Sequence, residues 1–297
     1  MRTDHATPDA VTSTIAIAVR GLRKSYGATT AVAGVDLEVQ RGEVFALLGP
    51  NGAGKTTTVE ILEGYRRRDA GDVRVLGVDP VHGDARWRAR VGIVLQGTGE
   101  FDELTVGEVV THFARFYPDP DDPEKVVERV GLTDKRRSRT HTLSGGQKRR
   151  LDVALGIVGR PELLFLDEPT TGFDPEARQE FWELIRSLAA GGTTILLTTH
   201  YLYEAEALAD RVGVITAGRL VAVGPPAQLG ERESAPATVA WQGPDRRHAE
   251  RTHTPCDLVV ALSARYGGEV PALTVTRPTL EDVYLQLIGA NRQEVAR

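Results

Sequence analysis

Cysteine is nearly absent from this sequence: Cys256 is the only one among 297 residues, which excludes an internal disulfide. A run of about 18 consecutive apolar residues is also absent, so the sequence predicts no membrane-spanning helix. Residues 1–14 are polar and lack the apolar core of a secretory signal peptide, and we expect them to form a disordered arm. These absences favour a reducing, cytoplasmic environment over secretion or insertion in a membrane.

An excess of basic residues is missing as well. The chain has 36 Lys and Arg residues against 41 Asp and Glu residues, which gives a formal net charge of -5. Proteins that bind nucleic acid or anionic lipid through charge usually carry a basic excess, so this balance disfavours both partners. With 41% hydrophobic and 26% charged residues, the composition is that of a globular protein of one large domain or two modest ones.

Short apolar runs alternate with helical stretches over most of the chain, and this alternation predicts an α/β fold with a largely parallel core sheet. We expect a core of residues 15–228, interrupted by a helical segment at about 97–159. Residues 229–297 predict a small α+β region, closed by a helix at 280–288 that Gly289 ends. The strands predicted for the core are residues 15–19, 35–39, 44–48, 73–76, 91–95, 163–167, 194–198 and 212–216.

The clearest motif is GPNGAGKTT, which lies between a predicted strand and a predicted helix. Its glycines allow backbone N–H groups to turn toward one point, and the helix N-terminus adds a positive dipole end, so the motif predicts a phosphate site. Lys55 supplies a positive charge for the β- and γ-phosphates, and the Thr56 hydroxyl can bind Mg²⁺. The residues expected to bind ATP here are Gly49, Pro50, Asn51, Gly52, Ala53, Gly54, Lys55, Thr56 and Thr57.

Two acidic residues follow a second apolar strand, LLFL at residues 163–166. The carboxyl end of such a strand, beside the phosphate loop, places Asp167 within reach of a bound Mg²⁺. Glu168 points in a different direction and can polarise an attacking water molecule. His200 follows another predicted strand, where its imidazole can hydrogen-bond the γ-phosphate. Taken alone, each of these residues is also consistent with an ordinary surface position; the phosphate loop favours the catalytic interpretation.

A second anion site is predicted at LSGGQ, which comprises Leu143, Ser144, Gly145, Gly146 and Gln147. Ser144 is a good N-cap for the helix that follows, and the two glycines leave backbone amides accessible. One nucleotide requires only one phosphate loop, so a second anion site in the same chain needs a separate explanation.

The order and spacing of GPNGAGKTT, LSGGQ and LLFLDE resemble those of the ATP-binding-cassette (ABC) ATPases, over roughly residues 15–225. The resemblance implies a P-loop NTPase fold with a RecA-like core sheet, an antiparallel β subdomain and a helical ABC insert, and it implies ATP and Mg²⁺ as cofactors. In that family two cassettes form a head-to-tail dimer. The LSGGQ loop of each subunit, called the signature loop in this family, then binds the ATP held by the phosphate loop of the other subunit. This arrangement accounts for the second anion site.

The resemblance also assigns roles to individual residues. Tyr26 matches the aromatic residue that stacks on adenine, and Gln96 matches the glutamine that contacts Mg²⁺ and senses the membrane partner. Glu168 matches the catalytic base, and His200 matches the switch histidine. Asp174 lies in TGFDP, which matches the D-loop, although phenylalanine stands there where leucine is usual. The implied catalytic residues are Lys55, Glu168 and His200, and the implied Mg²⁺ ligands are Thr56, Gln96 and Asp167.

A narrower resemblance is to the drug-resistance branch of the ABC-2-type exporters, including the daunorubicin and doxorubicin resistance ATPases of actinobacteria. It is carried by LEGYRRRDAGDVRVLGVDP, by the segment around LSGGQ and by RPTLEDVYLQLIG. It implies an ATPase subunit that powers export of a drug, antibiotic or other hydrophobic compound through a separate membrane permease. The subunit would lie at the cytoplasmic face of the plasma membrane through that permease, and its C-terminal region would regulate the dimer or stabilise it.

Three other interpretations stay open at this point. Soluble ABC ATPases of translation usually carry two cassettes and those of repair contain long coiled coils, whereas this sequence has one cassette and no such heptad run. The second is an importer cassette. The segment around LSGGQ and the C-terminal RPTLEDVYLQLIG favour export over import. The third is a catalytically inactive regulatory cassette, against which we set the intact Lys55, Asp167, Glu168 and His200.

Overall fold

The computed structural model describes residues 14–94, 101–231 and 235–295, with side chains described as far as Gly289. Gln96 and residues 1–13 of the expected arm lie outside this part of the chain, so what we predict for them stays a prediction. Within it, no helix has both the length and the apolar character needed to cross a membrane. The strands are β1 (Ile15–Tyr26), β2 (Thr29–Gln40), β3 (Val44–Leu48), β4 (Ala70–Val75), β5 (Val91–Val94), β6 (Leu163–Asp167), β7 (Thr194–Thr199), β8 (Arg211–Thr216), β9 (Arg219–Gly224), β10 (Ala237–Gln242), β11 (Arg247–Thr252) and β12 (Thr274–Thr276). The helices are α1 (Lys55–Leu62), α2 (Ala85–Arg88), α3 (Val106–Ala114), α4 (Pro123–Arg129), α5 (Gly145–Ile157), α6 (Pro175–Ala190), α7 (Leu202–Leu208), α8 (Pro255–Tyr266) and α9 (Leu280–Val295).

The central sheet has the strand order β5-β6-β7-β3-β8-β9. The pairs β5–β6, β6–β7, β7–β3 and β3–β8 are parallel, which confirms the predicted core. β3 is buried along its whole length, and so is β7, as expected for strands of a parallel sheet covered on both faces. Because the strands are parallel, the carboxyl ends of β3, β6 and β7 meet at one edge of the sheet, where Leu48, Asp167 and Thr199 are their last residues.

A second sheet, with the order β2-β1-β4, is antiparallel and confirms the predicted β subdomain. Its strands share one apolar cluster with β3 and α1. That cluster includes Ile17, Val35, Phe45, Ile61 and Val75, each no more than 1% exposed. The shared core holds the β1–β2 hairpin beside the strand that leads into GPNGAGKTT.

Helices α3, α4 and α5 lie between β5 and β6 and form the expected helical insert. Thr105 and Glu108 exchange side-chain and backbone hydrogen bonds in a capping box that begins α3. A second capping box, between Ser144 and Gln147, begins α5. The role of Ser144 as a helix N-cap is therefore confirmed.

The chain divides into two compact units, Met1–Leu220 and Val221–Arg297, so the division falls inside β9. The predicted boundary after residue 228 stays a prediction. In the second unit, an antiparallel sheet with the order β11-β10-β12 forms a small apolar core with α8. The buried members of this core are Val239, Trp241, Leu262 and Val270.

Helix α9 begins after Thr279, whose hydroxyl accepts a hydrogen bond from the backbone N–H of Asp282 (3.2 Å). The prediction that Gly289 ends this helix is wrong, because α9 continues to Val295. Gly289 does not adopt the left-handed backbone of a helix-ending glycine. The residues after it, ANRQEV, include alanine, arginine, glutamine and glutamate, which favour helix and carry it past one glycine.

Candidate nucleotide-binding site

The phosphate loop connects β3 to α1 and lies against the start of β2. Gly52 (φ +77°) and Gly54 (φ +103°) have left-handed backbone, which side chains rarely adopt. A Cβ atom on Gly54 would lie 2.3 Å from the carbonyl oxygen of Ala31 in β2. Position 54 therefore requires glycine for its conformation and for the space available.

Lys55 is the first residue of α1 and is only 5% exposed. Its ammonium donates hydrogen bonds to the carbonyl oxygens of Gly49 (2.8 Å) and Pro50 (3.3 Å), so the side chain curls back over the loop. Burial lowers the pKa of Lys55, while the carboxylates of Glu168 and Asp167 act in the opposite direction. A cation held at the amino end of a helix is suited to bind the phosphates of a nucleotide.

Asp167 and Glu168 leave the end of β6 with different contacts. The Asp167 carboxylate accepts a hydrogen bond from the hydroxyl of Thr198 in β7. Glu168 has left-handed backbone (φ +42°), which a residue other than glycine keeps only when surrounding contacts enforce it. The enforcing contact is with the same threonine, because the backbone N–H of Glu168 lies 3.2 Å from the Thr198 carbonyl oxygen and 3.1 Å from its hydroxyl.

Two of the side chains predicted to be catalytic approach one oxygen atom of the third. Oε1 of Glu168 lies 3.6 Å from Nζ of Lys55 and 3.2 Å from Nδ1 of His200. The Glu168–His200 contact is one of proximity, because Nδ1 has no hydrogen-bond partner of good geometry in the described residues. The structure thus brings together one residue from the phosphate loop, one from the end of β6 and one that follows β7.

A cavity of about 390 Å³ opens at this point. It contains the lysine, the helix N-terminus and the acidic residue that nucleotide chemistry requires, so we take it as the candidate site. A larger cavity of about 580 Å³ lies around α3 in the helical insert, away from these groups. The lining of the smaller cavity comprises Ala31, Asn51, Gly52, Gly54, Lys55, Thr56, Thr57 and Glu168.

Two of the three residues predicted to bind Mg²⁺, Thr56 and Asp167, lie in the described part of the chain. Thr56 is exposed in the first turn of α1, and Asp167 ends β6 at the edge of the sheet that also bears the phosphate loop. Hydroxyl and carboxylate oxygens are donors that Mg²⁺ prefers, so both residues fit the ion. In the part of the chain that the structure describes, no group of three or more His, Cys, Asp and Glu side chains could hold a metal without other ligands. Such an ion would therefore depend on nucleotide oxygens and water as well, which is usual for Mg²⁺.

Tyr26 lies at the end of β1, is 43% exposed, and has two cations near its ring. The guanidinium carbon of Arg66 is 5.3 Å from the ring centroid, and Nζ of Lys24 is 5.6 Å from it. Ion pairs with Glu60 and Asp69 hold the two cations in place. Both cations lie over the exposed ring, so a purine can stack on the part of the ring that they leave open.

The residues of LSGGQ take no part in the cavity around Lys55. Ser144 and Gly145 are exposed at the start of α5, and Gln147 is half-buried. Asp174 is the N-cap of α6, where its carboxylate accepts a hydrogen bond from the N–H of Ala177 (2.8 Å). Within one chain, LSGGQ thus lies outside the cavity that the phosphate loop lines.

Sequence reasoning missed two residues that hold the site together. Arg149 in α5 is 7% exposed, and its guanidinium donates to the carbonyl oxygens of Asp167 (2.7 Å) and Pro169 (3.1 Å). Thr198 is the residue that contacts both Asp167 and Glu168. The only signal for Thr198 is that it is a polar residue directly after the apolar residues 195–197. Nothing in the sequence distinguishes Arg149 from its two basic neighbours.

A parallel sheet whose strand β3 leads through GPNGAGKTT into a helix, with acidic residues at the end of β6, defines a P-loop nucleoside triphosphatase. The profile of the ABC transporter family matches residues 32–171. The chain belongs to the ABC transporter family, whose ATP-binding cassettes are ATPases that power transport, and the resemblance seen in the sequence is confirmed.

Similar proteins span nearly the whole chain. The daunorubicin resistance ATP-binding protein DrrA3 of Streptomyces coeruleorubidus is 39% identical over 309 residues, covering 94% of this chain and 97% of that protein. The Nod factor export ATP-binding protein I of Ralstonia nicotianae is 40% identical over 290 residues, covering 95% and 83%. The fold is similar to that of cbiO1 from Clostridium perfringens, part of the ABC transporter complex cbiONQ, with a TM-score of 0.67 and 28% identity over 74% of this chain and 92% of that one.

Proposed function

We propose that this chain is the ATP-hydrolysing subunit of an export transporter, in which Lys55, Glu168 and His200 act on ATP. The observation that supports catalysis is the approach of Lys55 Nζ and His200 Nδ1 to the same Glu168 oxygen. The relatives named for daunorubicin resistance and Nod factor export support outward transport. We propose a drug, antibiotic or other hydrophobic compound as the cargo.

In this proposal Lys55 exchanges its contacts with the carbonyls of Gly49 and Pro50 for the β- and γ-phosphates of ATP. Glu168 orients and polarises the attacking water, and His200, beside the same carboxylate, contacts the γ-phosphate. Phosphoryl transfer of this kind depends mainly on positioning and on neutralisation of charge.

Mg²⁺, when bound, neutralises charge on the phosphates. Thr56 and Asp167 would hold it, with Gln96 as a further ligand. Tyr26 supports the adenine by stacking, since its ring is 43% exposed at the end of β1. The nucleotide is therefore bound at its base and at its phosphates by different elements of one chain.

A second copy of the chain is the first proposed partner, in a head-to-tail dimer. Each LSGGQ loop, Leu143 to Gln147, would bind the γ-phosphate of the ATP held by the other copy, and Asp174 would lie at the contact. Support comes from the position of LSGGQ outside the cavity of its own chain, where a second polypeptide can bring it to a phosphate loop. ATP would thus link the copies, and hydrolysis would release them.

A membrane permease is the second proposed partner and would hold the subunit at the cytoplasmic face of the plasma membrane. The relatives named as ATP-binding proteins of resistance and export systems support it. The net charge of -5 argues against nucleic acid or anionic lipid as the surface that recruits the chain. Residues 229–297 would regulate the dimer or stabilise it.

The central test is Glu168→Gln, which keeps the size of the side chain and removes its basicity. We expect steady ATP hydrolysis to fall by roughly 100-fold or more, in line with the usual contribution of a general base. An ATP-bound dimer should accumulate and be visible by light scattering coupled to gel filtration. The matched control is Glu180→Gln in α6, where the side chain is 50% exposed and paired with Arg150. A variant that binds ATP and stays monomeric would contradict the head-to-tail dimer. Undiminished hydrolysis would contradict the assignment of Glu168 as the base.

The transport role has its own test. Full-length tagged chain purified from membranes of the source cells should bring down an integral-membrane protein in a constant ratio. Recovery with ribosomes in place of a membrane protein would overturn the transport role without affecting the ATPase assignment.

A further inference from the structure

Glu204 is a carboxylic acid with no solvent exposure, and none of the roles proposed above uses it. It lies in the first turn of α7, four residues after His200. Its Oε1 accepts a hydrogen bond from the hydroxyl of Thr170 (2.8 Å), which is itself 1% exposed. Burying a carboxyl group is unfavourable unless it is hydrogen-bonded, so this residue needs an explanation.

The Thr170 side of this contact leads to the D-loop. The carbonyl oxygen of Thr170 accepts a hydrogen bond from the N–H of Phe173 (3.1 Å). The Phe173 ring packs edge-on against Phe181 of α6, with 5.6 Å between centroids. Asp174 then caps α6. These contacts connect Thr170 to the loop that precedes α6.

The Glu204 side leads to His200. The backbone N–H of Glu204 lies 3.2 Å from the carbonyl oxygen of Tyr201, and the N–H of Tyr201 bonds to the Thr199 hydroxyl (2.9 Å). The His200 ring lies against the Tyr201 ring, with 4.0 Å between centroids. Contacts of Thr199 and Tyr201 thus connect His200 to Glu204.

The second oxygen of Glu204 lies in a polar cluster whose members are not fully paired. Oε2 of Glu204, Nε of Arg178 and Nε1 of Trp182 are buried and have no hydrogen-bond partner of good geometry in the described residues. Burial raises the pKa of Glu204, while hydrogen bonds with Thr199 and Thr170, and then Arg178 and Trp182, favour its charged form. None of the three atoms has a hydrogen bond of good geometry, which leaves room for a tighter arrangement in which the carboxylate pairs with the two donors.

His200 Nδ1 is the remaining buried side-chain atom of this kind in residues 14–94, 101–231 and 235–289. The buried unpaired atoms of that part of the chain therefore all lie on α6 or on residues 200–204. Poorly paired buried groups mark a place where a second arrangement can form at small cost.

We propose that Glu204 is a positioning residue that couples His200 to the D-loop. When a second copy contacts the loop at Asp174, the hydrogen bond from Thr170 transmits the change to Glu204, which pairs with Arg178 and Trp182 and sets the position of His200. This inference rests on the proposed function, because it assigns the D-loop to the contact between copies and His200 to the phosphate. It makes hydrolysis depend on the presence of the second copy.

The test removes one hydroxyl. Thr170→Val keeps the shape of the side chain and deletes the donor to Glu204, whereas Thr170→Ser keeps the donor and deletes a methyl group. With full-length protein, we expect Thr170→Val to lower kcat for ATP about tenfold with KM changed less than about twofold, as a coupling of moderate size requires. Thr170→Ser should retain at least about half of the parent kcat, since the hydrogen bond is preserved.

The same pair tests the connection to the second copy. In the Glu168→Gln background, Thr170→Val should weaken ATP-dependent dimer formation about tenfold, and Thr170→Ser should not. Thermal unfolding by circular dichroism checks that both variants are folded. Unchanged kcat in Thr170→Val, or an equal loss in Thr170→Ser, would overturn the coupling. If Glu168→Gln itself forms no dimer with ATP, the proposed function fails instead, so the two failures are distinguishable.

Discussion

Nη2 of Arg149 donates a hydrogen bond to the backbone carbonyl of Asp167 over 2.7 Å. The bond joins α5, which begins within LSGGQ, to the end of β6, where Asp167 lies. A buried guanidinium is stable only while its donors are paired, so the positions of α5 and of the end of β6 depend on each other.

Arg149→Ala should lower the free energy of unfolding by about 3 kcal/mol, because two buried carbonyl groups lose their donor and a cavity remains. Urea unfolding followed by circular dichroism measures the change. The neighbouring residue provides the control, since Arg150 is 21% exposed and bonds to the exposed Glu180. Arg150→Ala should cost less than about 1 kcal/mol. Equal losses in the two variants would show that the contact with Asp167 stabilises the fold no more than the surface ion pair of Arg150 does.

Lys55→Ala should weaken ATP binding by about 100-fold, or roughly 3 kcal/mol, because it removes a buried cation that lines the candidate cavity. Titration calorimetry with ATP at constant ionic strength measures this. Lys125→Ala, on the exposed face of α4, removes the same charge from the surface and should leave the affinity unchanged. An unaltered affinity in Lys55→Ala would mean that the phosphates bind elsewhere.

Tyr26→Ala should weaken ATP binding about tenfold, the usual effect of losing one stacked base, while Tyr26→Phe should bind as the parent does. Inorganic triphosphate, which has no base, should bind the parent and Tyr26→Ala equally. Tyr65→Ala removes an aromatic ring that is 79% exposed and serves as the matched control. Equal weakening for ATP and inorganic triphosphate would place Tyr26 in a structural role.

Glu63 follows α1, and burial raises its pKa to about 7, with further contributions from Asp167 and Glu60. The folded chain therefore holds this proton more tightly than the unfolded chain, whose value is near 4.5. The resulting stability is fully present below pH 4.5 and is lost as the pH rises through 7. Glu63→Gln carries no charge and should escape this loss.

Its melting temperature should match the parent at pH 4.5 and exceed it at pH 8, by a margin equivalent to on the order of 2 kcal/mol. Scanning calorimetry at both pH values measures the difference. Glu176→Gln, exposed in the first turn of α6, is the control and should show little change in its difference from the parent. A parallel response of the two variants would remove Glu63 as the source of the pH dependence.

Two buried core strands, β3 (Val44–Leu48) and β6 (Leu163–Asp167), could be predicted to the residue, whereas β7 and β8 each differ from the prediction by one residue at one end. Each of β3 and β6 is an apolar run followed directly by a loop motif, so the hydrophobic pattern and the motif predict the same strand end. The second unit is different, because β11 is an edge strand of mostly exposed polar side chains and α8 buries only Leu262. Strand β11 lacks the hydrophobic alternation from which a strand is predicted, and α8 has only the short apolar set Leu258, Val259, Leu262 and Tyr266. Neither element was foreseen.

The candidate site divides in the same way. Residues within GPNGAGKTT and LLFLDE could be named because each motif keeps its chemistry in one stretch of sequence. Arg149, Thr198 and Glu204 could not, since each acts through a partner on another element: Asp167, Glu168 and Thr170 respectively. Only the folded chain brings such pairs together, and a single sequence carries no trace of the pairing.

The left-handed backbone of Glu168 sets stability against activity at one position. Strain of about 1 kcal/mol is typical for a residue other than glycine in this conformation, and glycine would relieve it. A screen for heat resistance alone would therefore favour Glu168→Gly, and under the role proposed for Glu168 the selected protein would bind ATP without hydrolysing it. Directed evolution of a hardier cassette has to select for hydrolysis at the same time.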